Sequence, residues 1–181
     1  MKKIVQKDSR VLRENAVEVA VSDMAGLKIK KILAEMNAAL DACDDGVALA
    51  APQIGYSLRI FIVSGRYFDP DFRERTKEEF EAGTRSDNMV FINPKIIKSS
   101  RKKMEVDEGC LSVRWLYGKM KRSEKATVTA YDINGNKFTR GATGLLAQIF
   151  QHETDHLNGV LFIDTATDVV EMVDKPGRKE K

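Results

Sequence analysis

The chain is expected to fold as α+β, with antiparallel β-sheets around one central helix and an additional helix nearer the N-terminus. Three observations predict this. Residues 126–131 alternate well, and Asn134-Gly135 follows before a return run at 137–140, the pattern of a tight hairpin. Other short strand-like runs lie at 58–63, 89–93, 95–99 and 103–106. Helical spacing is clearest in two places, at Ile29, Ile32, Leu33, Met36 and Leu40, and again at Leu145, Leu146, Ile149, Phe150, His152 and His156. Strands that follow one another, with few helices between them, suit segregated layers rather than a parallel sheet.

Taken in order, residues 1–21 are polar and then weakly alternating, so an extended arm is expected, ending in a short strand. Ser22 or Asp23 is a candidate cap for the first helix, which should run to about Ala42 and stop at Asp44-Asp45-Gly46. The next run, from Gly46 to Gly55, is small and apolar. Pro52 and Gly55 bar a long helix or a central strand through its second half. Gln53 is its only polar side chain, read either as a buried group satisfied by backbone or as part of a site. Residues 64–88 break the pattern and form a surface excursion, with a short charged helix expected after Pro70; so long a loop is either a lid or an ornament. Residues 143–157 form the second helix, Gly159 is a natural left-handed cap, and residues 160–163 are a short apolar return. Residues 1–174 are read as one domain, followed by a charged tail at 175–181.

Composition narrows the function. The 181 residues carry 30 basic and 27 acidic side chains, for a net charge of +3, too mild to argue for nucleic acid or for a membrane surface. No apolar run approaches the roughly 18 residues of a membrane span, and the first residues lack a signal-peptide core, so a cytoplasmic location is expected. The two cysteines, Cys43 and Cys110, do not make a disulfide framework.

The chemistry concentrates at 150–159, which holds both histidines of the chain. His152 and His156 are four apart, so on a helix their imidazoles share one face, one turn apart. Glu153 lies beside the first, within reach of a water on any ion the pair holds. Such a string also occurs by chance on amphipathic helices. A catalytic ion of this kind takes three protein ligands and keeps one open position. The third ligand is either an acid downstream (Asp164, Asp168, Glu171 or Asp174) or Cys110, which sits in a glycine-flanked turn and whose thiolate suits a borderline-soft ion. A free cysteine is more often a small buried hydrophobe, and Cys43 is read that way.

Three separated stretches together resemble the signature motifs of the peptide deformylases. They are Gly46-Val47-Ala48-Leu49-Ala50-Ala51-Pro52-Gln53, Glu108-Gly109-Cys110-Leu111-Ser112, and Gln151-His152-Glu153-Thr154-Asp155-His156-Leu157. They occur in the family's order, and three in order are far more specific than one. The resemblance implies Cys110, His152 and His156 as ligands of ferrous iron, with zinc, nickel or cobalt able to substitute. It implies that Glu153 takes a proton from the attacking water and delivers it to the leaving amine as formate departs from an N-formylmethionyl chain. The Gln53 side chain and the Leu111 backbone N–H would serve the oxyanion, such a donor being worth about 3 kcal/mol of barrier. Gly46, Val47, Ala48, Gly109 and Ile149 are the candidate substrate-binding residues, with the nascent peptide added as an extra strand. Glu108, as a partner of Arg122 or a support of the cysteine turn, and the flanking Gln151 and Asp155 would fix ligand geometry.

Three departures from the family pattern stand out. Ala48 replaces the second motif glycine, so its methyl bears on substrate access. Residues 113–118 are bulky and lack the usual proline, and the 64–88 excursion is long. The short tail implies a reduced or missing ribosome-docking helix, which leaves the ribosome as a secondary partner beside N-formylmethionyl nascent peptides; a monomer is expected. Two other functions compete with the deformylase. A zinc peptidase would draw its third ligand from downstream rather than from Cys110. A catalytically altered relative would act on another N-acyl peptide, or only bind peptides.

Overall fold

The structure is a computed structural model describing residues 2–68 and 87–172. The expected charged helix after Pro70 and the tail at 175–181 lie outside the described residues. Among those described, the strands form two antiparallel sheets. One has the order β1-β2-β3-β6-β7, from Ala48–Ala50, Ile60–Val63, Met89–Ser99, Lys125–Tyr131 and Lys137–Thr143. The other has the order β4-β5-β8, from Lys103–Gly109, Leu116–Ser123 and Thr167–Glu171. Helix α1 spans Leu27–Asp41 and α2 spans Gly144–Leu157. The α+β expectation holds.

Helix α2 is positioned by an aromatic stack. Phe61 and Phe91, on neighbouring strands β2 and β3, stack at 4.5 Å, and Phe150 meets Phe91 edge-on at 5.2 Å. All three are fully buried. Such rings bury large apolar area and add directional contact, so the helix has one seat on the five-stranded sheet. Ile29, Ile32, Leu33, Met36 and Leu40 form the buried stripe of α1, as their spacing predicts.

The N-terminal arm closes the far end of α2. Ala16 N–H and the Arg59 guanidinium both donate to the Leu157 carbonyl, one of those a helix C-terminus leaves open. Gly159, at φ 73, ends the helix; a Cβ there would lie 2.8 Å from the Arg13 carbonyl, so the arm's close approach requires glycine. Asn93 holds the arm a second way. Its amide receives Val19 N–H and donates to Val19 C=O, both at 2.8 Å, as a paired strand would. Asn93 has φ 50, and the β3–β6 register shifts between Ile92 and Lys95, so the two runs expected at 89–93 and 95–99 are one strand with an irregularity.

Several expectations change. Ser22 and Asp23 do not cap α1; they lie in a 3-10 turn, Val21–Asp23, and the helix starts after Gly26 with no side-chain cap bond. The short apolar return at 160–163 leads into a 3-10 turn, Phe162–Asp164, that buries Leu161 and Phe162. The arm ends in a single parallel bridge, Val17 to Leu58, rather than a strand. Strands β5 and β8 had no counterpart in the sequence pattern.

Candidate metal centre

The three motif stretches meet. The first supplies β1 and the 3-10 turn Ala51–Ile54, the second ends β4 and turns at Cys110, and the third is the C-terminal half of α2. Cys110, His152 and His156 place one ligand atom each within 4.8 Å of one another. Cys110 Sγ lies 3.2 Å from His156 Nε2. Of the third-ligand candidates, Cys110 is the one brought to the histidines. Asp164 instead accepts from Arg13 and from Leu161 N–H, while Asp168 and Glu171 lie on the exposed strand β8. Asp174 lies outside the described residues.

The donor set suits a divalent cation: one sulfur, two imidazoles and a buried carboxylate beside them. Two observations support the fit. Glu153 Oε2 is buried without a hydrogen-bond partner, a costly state for a polar atom unless a site uses it. Burial, with the neighbouring His152, holds His156 well below the usual imidazole range, in the neutral form that ligates.

Around these groups runs a buried network. Glu108 is 4% exposed and accepts two bonds from Arg122, at 2.7 and 2.9 Å. Its Oε2 also lies 2.9 Å from His152 Nδ1, which fixes the ring and leaves Nε2 to face inward. Burial pushes the Glu108 carboxyl up, but Arg122 and His152 outweigh it and bring it to about 2. Burial likewise pushes His152 down, and its bonds to Cys110 and Glu108 carry it well above the ordinary value. Arg122 reaches on to Asp155 at 2.6 Å, so one guanidinium ties β4, β5 and α2 together. Of the two roles sequence reasoning left open for Glu108, pairing with Arg122 is observed, and the bond to His152 comes with it. Gln151 clamps the helix differently, accepting from Ser123 N–H and donating to Ser123 C=O.

Glu153 behaves differently from Glu108. It is 4% exposed, and no arginine or lysine ion pair with it is seen among the described residues. Burial raises its carboxyl to about 7; His152 opposes this, and the charges of Glu108 and Asp155 add to it.

Gln53 is fixed by both ends of its amide. Oε1 accepts from Ala50 N–H at 2.8 Å, so Nε2 faces the cysteine turn, 3.2 Å from Ser112 Oγ and 3.5 Å from Cys110 Sγ. The expected backbone partner is the Ala50 N–H, and the other end of the amide lies beside the cysteine turn. In the turn itself, the Cys110 carbonyl accepts from Val113 N–H, and the planar peptide aims the Leu111 N–H the other way.

A cleft of about 270 Å³ opens over this centre, and Gly46, Val47, Ala48, Gly109, Leu111 and Ile149 line it, together with Gln53, Cys110, His152 and Glu153. Every substrate-binding residue expected from the sequence is therefore on its wall. Ala48 lies in β1 with ordinary negative φ, so the backbone there makes no demand for glycine. Gly109 is different: a Cβ would fall 2.6 Å from the Tyr117 ring. Sequence reasoning missed the other wall, which includes Asp45, Arg114, Trp115 and Tyr117. The bulk of residues 113–118 was the available signal.

Comparison with known proteins agrees with this geometry. The model of the family described as polypeptide deformylase matches residues 1–171. Peptide deformylase 2 of Clostridium acetobutylicum is 35% identical over 170 residues, covering 94% of this chain and 98% of its own. A peptide deformylase of Dehalococcoides mccartyi is 34% identical over 165 residues, 91% of this chain and 85% of its own. Among solved structures, the peptide deformylase of Legionella pneumophila superposes with a TM-score of 0.75 at 33% identity, covering 93% of this chain and 87% of that one. The class I type b enzyme of Acinetobacter baumannii with bound Met-Ala-Ser gives 0.75 at 28% identity, covering 89% and 95%. With the family model spanning nearly the whole chain and the motif residues converging in space, this chain belongs to the polypeptide deformylase family.

Proposed function

We propose that this chain hydrolyses the formyl amide of N-formylmethionine at the head of newly synthesised polypeptides, with Glu153 as proton carrier beside a cation held by Cys110, His152 and His156. The state of Glu153 carries the reading. It is a buried carboxyl with one oxygen unpartnered, beside three convergent candidate ligand atoms under an open cleft.

Bound there, a divalent cation supplies Lewis-acid activation of the attacking water and of the formyl oxygen. The residues of the chain do the rest. As carboxylate, Glu153 takes a proton from the water as the new C–O bond forms at the formyl carbon. Gln53 Nε2, held in place by the Ala50 N–H on its other end, donates to the developing oxyanion, with the Leu111 N–H as a second donor. Glu153 then gives its proton to the departing nitrogen, the C–N bond breaks, and formate and a free amino terminus result. Glu108 keeps the His152 ring oriented, and Arg122 keeps Glu108 charged.

The methionine side chain would enter between Ile149 and the small residues at 46–48, with the peptide running past Gly109. The Met-Ala-Ser peptide in the Acinetobacter baumannii structure supports a methionine-headed ligand on this fold. Ferrous iron is the proposed resident metal, with zinc, nickel or cobalt able to take its place, and the proposed setting is the cytoplasm, on chains leaving the ribosome. No helix among the described residues is long and apolar enough to cross a membrane.

Formate release from formyl-Met-Ala-Ser by protein loaded anaerobically with ferrous iron tests the reading. Glu153→Ala should lose about 10²–10⁴-fold in kcat while retaining one metal per chain. Equal release by the variant would remove Glu153 from its role.

A further inference from the structure

The missed wall of the cleft carries a further assignment. Leu116 N–H donates to the Val113 carbonyl at 3.2 Å, closing a four-residue turn with Arg114 and Trp115 at its corner. Trp115 has φ 57. It occupies the third position of that turn, where a positive φ ordinarily selects glycine. A tryptophan held in that conformation is strained, and such strain persists where surroundings impose it.

The surroundings here are specific. Met172 N–H donates to the Trp115 carbonyl at 2.9 Å, from the residue after β8. The Arg114 guanidinium lies over the indole, 5.2 Å from the ring centroid, a cation–π contact. Arg114 is itself fixed by two bonds to Asp45, at 2.5 and 3.0 Å. Asp45 precedes Gly46, which also lines the cleft, so this pair ties the turn that carries Trp115 to the start of the first motif. The indole is thus held in advance, yet remains 36% exposed, with Leu116 and Tyr117 beside it on the lining.

We propose that Trp115 is a specificity-determining residue, a platform for an aromatic side chain just after the methionine of the substrate. This rests on the deformylase reading for the word substrate, but the contact itself does not require turnover. Two features favour an aromatic group over a charged one. The ring offers a flat apolar face whose ordering cost is already met, so contact yields affinity. Arg114 and Asp45 beside the indole are paired with each other, so a charged side chain docking there would have to compete with a two-bond Arg–carboxylate pair.

The chain contains one tryptophan, so its fluorescence reports this position alone. Titration of metal-loaded protein with the unformylated peptides Met-Phe-Ser and Met-Ala-Phe should shift Trp115 emission, and Met-Ala-Ser should bind more weakly. In parallel, kcat/KM for formyl-Met-Phe-Ser or formyl-Met-Ala-Phe should exceed that for formyl-Met-Ala-Ser by about fivefold, the scale of one aromatic contact. Trp115→Gly, which suits the turn and so folds, should bring that ratio to about one, and Trp115→Phe should restore most of it. Turnover with no emission change and no aromatic preference at either position would overturn the proposal while leaving the deformylase reading intact. An emission shift without formate release would support the platform and count against the reaction.

Discussion

Two arginine–carboxylate pairs stand at opposite depths of the same cleft. Arg122 and Glu108 lie beside the candidate metal ligands, their side chains 9% and 2% exposed. Arg114 and Asp45 lie at the mouth, 26% and 55% exposed. Both are two-bond contacts of similar length, so geometry does not separate them. Surroundings do. The lower pair is closed on all sides by further partners, Asp155 on Arg122 and His152 on Glu108. In a buried setting each charge depends on the others, because water cannot take the place of a lost partner. At the mouth water can, and the pair acts as a positioning contact with little stability attached.

Removing Arg122 should therefore have the largest effect. Arg122→Ala would leave Glu108 buried without its cation and Asp155 without its partner. The expected cost is about 3–5 kcal/mol, read as a fall in the denaturant midpoint at unchanged slope. A loss below 1 kcal/mol would mean that water reaches Glu108, and that depth does not distinguish the two pairs.

Glu108→Gln sharpens the comparison from the other partner. The amide keeps the shape but loses the charge that orients His152. Metal affinity should fall about 10–100-fold, measured by competition with a chromogenic chelator. Asp45→Asn serves as the control at the mouth and should leave that affinity unchanged. Equal losses in the two variants would show that the cleft walls, rather than the bond to His152, set ligand geometry.

The depth of the cleft also decides what could be read in advance. Helix α2 was legible because its apolar residues and histidines share one period and meet a sheet. The ligand set became legible once Cys110 was placed in a motif, since nothing in local spacing ties residue 110 to residue 156. Strand β5 was hidden for a physical reason. Its inward positions include Gly118, Met120 and Arg122, and a buried arginine breaks the apolar alternation on which strand detection relies. Strand β8 is exposed at every position and has no inward face to mark it. Trp115 was hidden more completely, because turn chemistry predicts glycine at its position, and only the backbone angle shows that tryptophan occupies it. The network under the site is thus a tertiary fact. Sequence reasoning could name Arg122 as a partner for Glu108, but not the third bond, to His152.

Asp45→Asn should have the smallest effect on folding, about 0–1 kcal/mol, since Asp45 is more than half exposed and water screens the pair. Its pH dependence is the sharper observable. The Arg114 guanidinium donates to Asp45 and is the main reason its carboxyl sits below the ordinary range, with partial burial opposing. The unfolded chain, whose Asp45 has the ordinary value, takes up a proton first as the solution is acidified. The stabilisation is therefore complete above about pH 4 and is lost as pH falls through the lower, folded value. Melting temperatures of wild type and Asp45→Asn, compared from pH 6 down to pH 3, should differ slightly at pH 6 and converge on acidification. A gap that persists unchanged to pH 3 would mean that the stability difference comes from the packing of the residue 45 loop. The pair at the mouth would then owe its place to the position it gives Arg114 over Trp115.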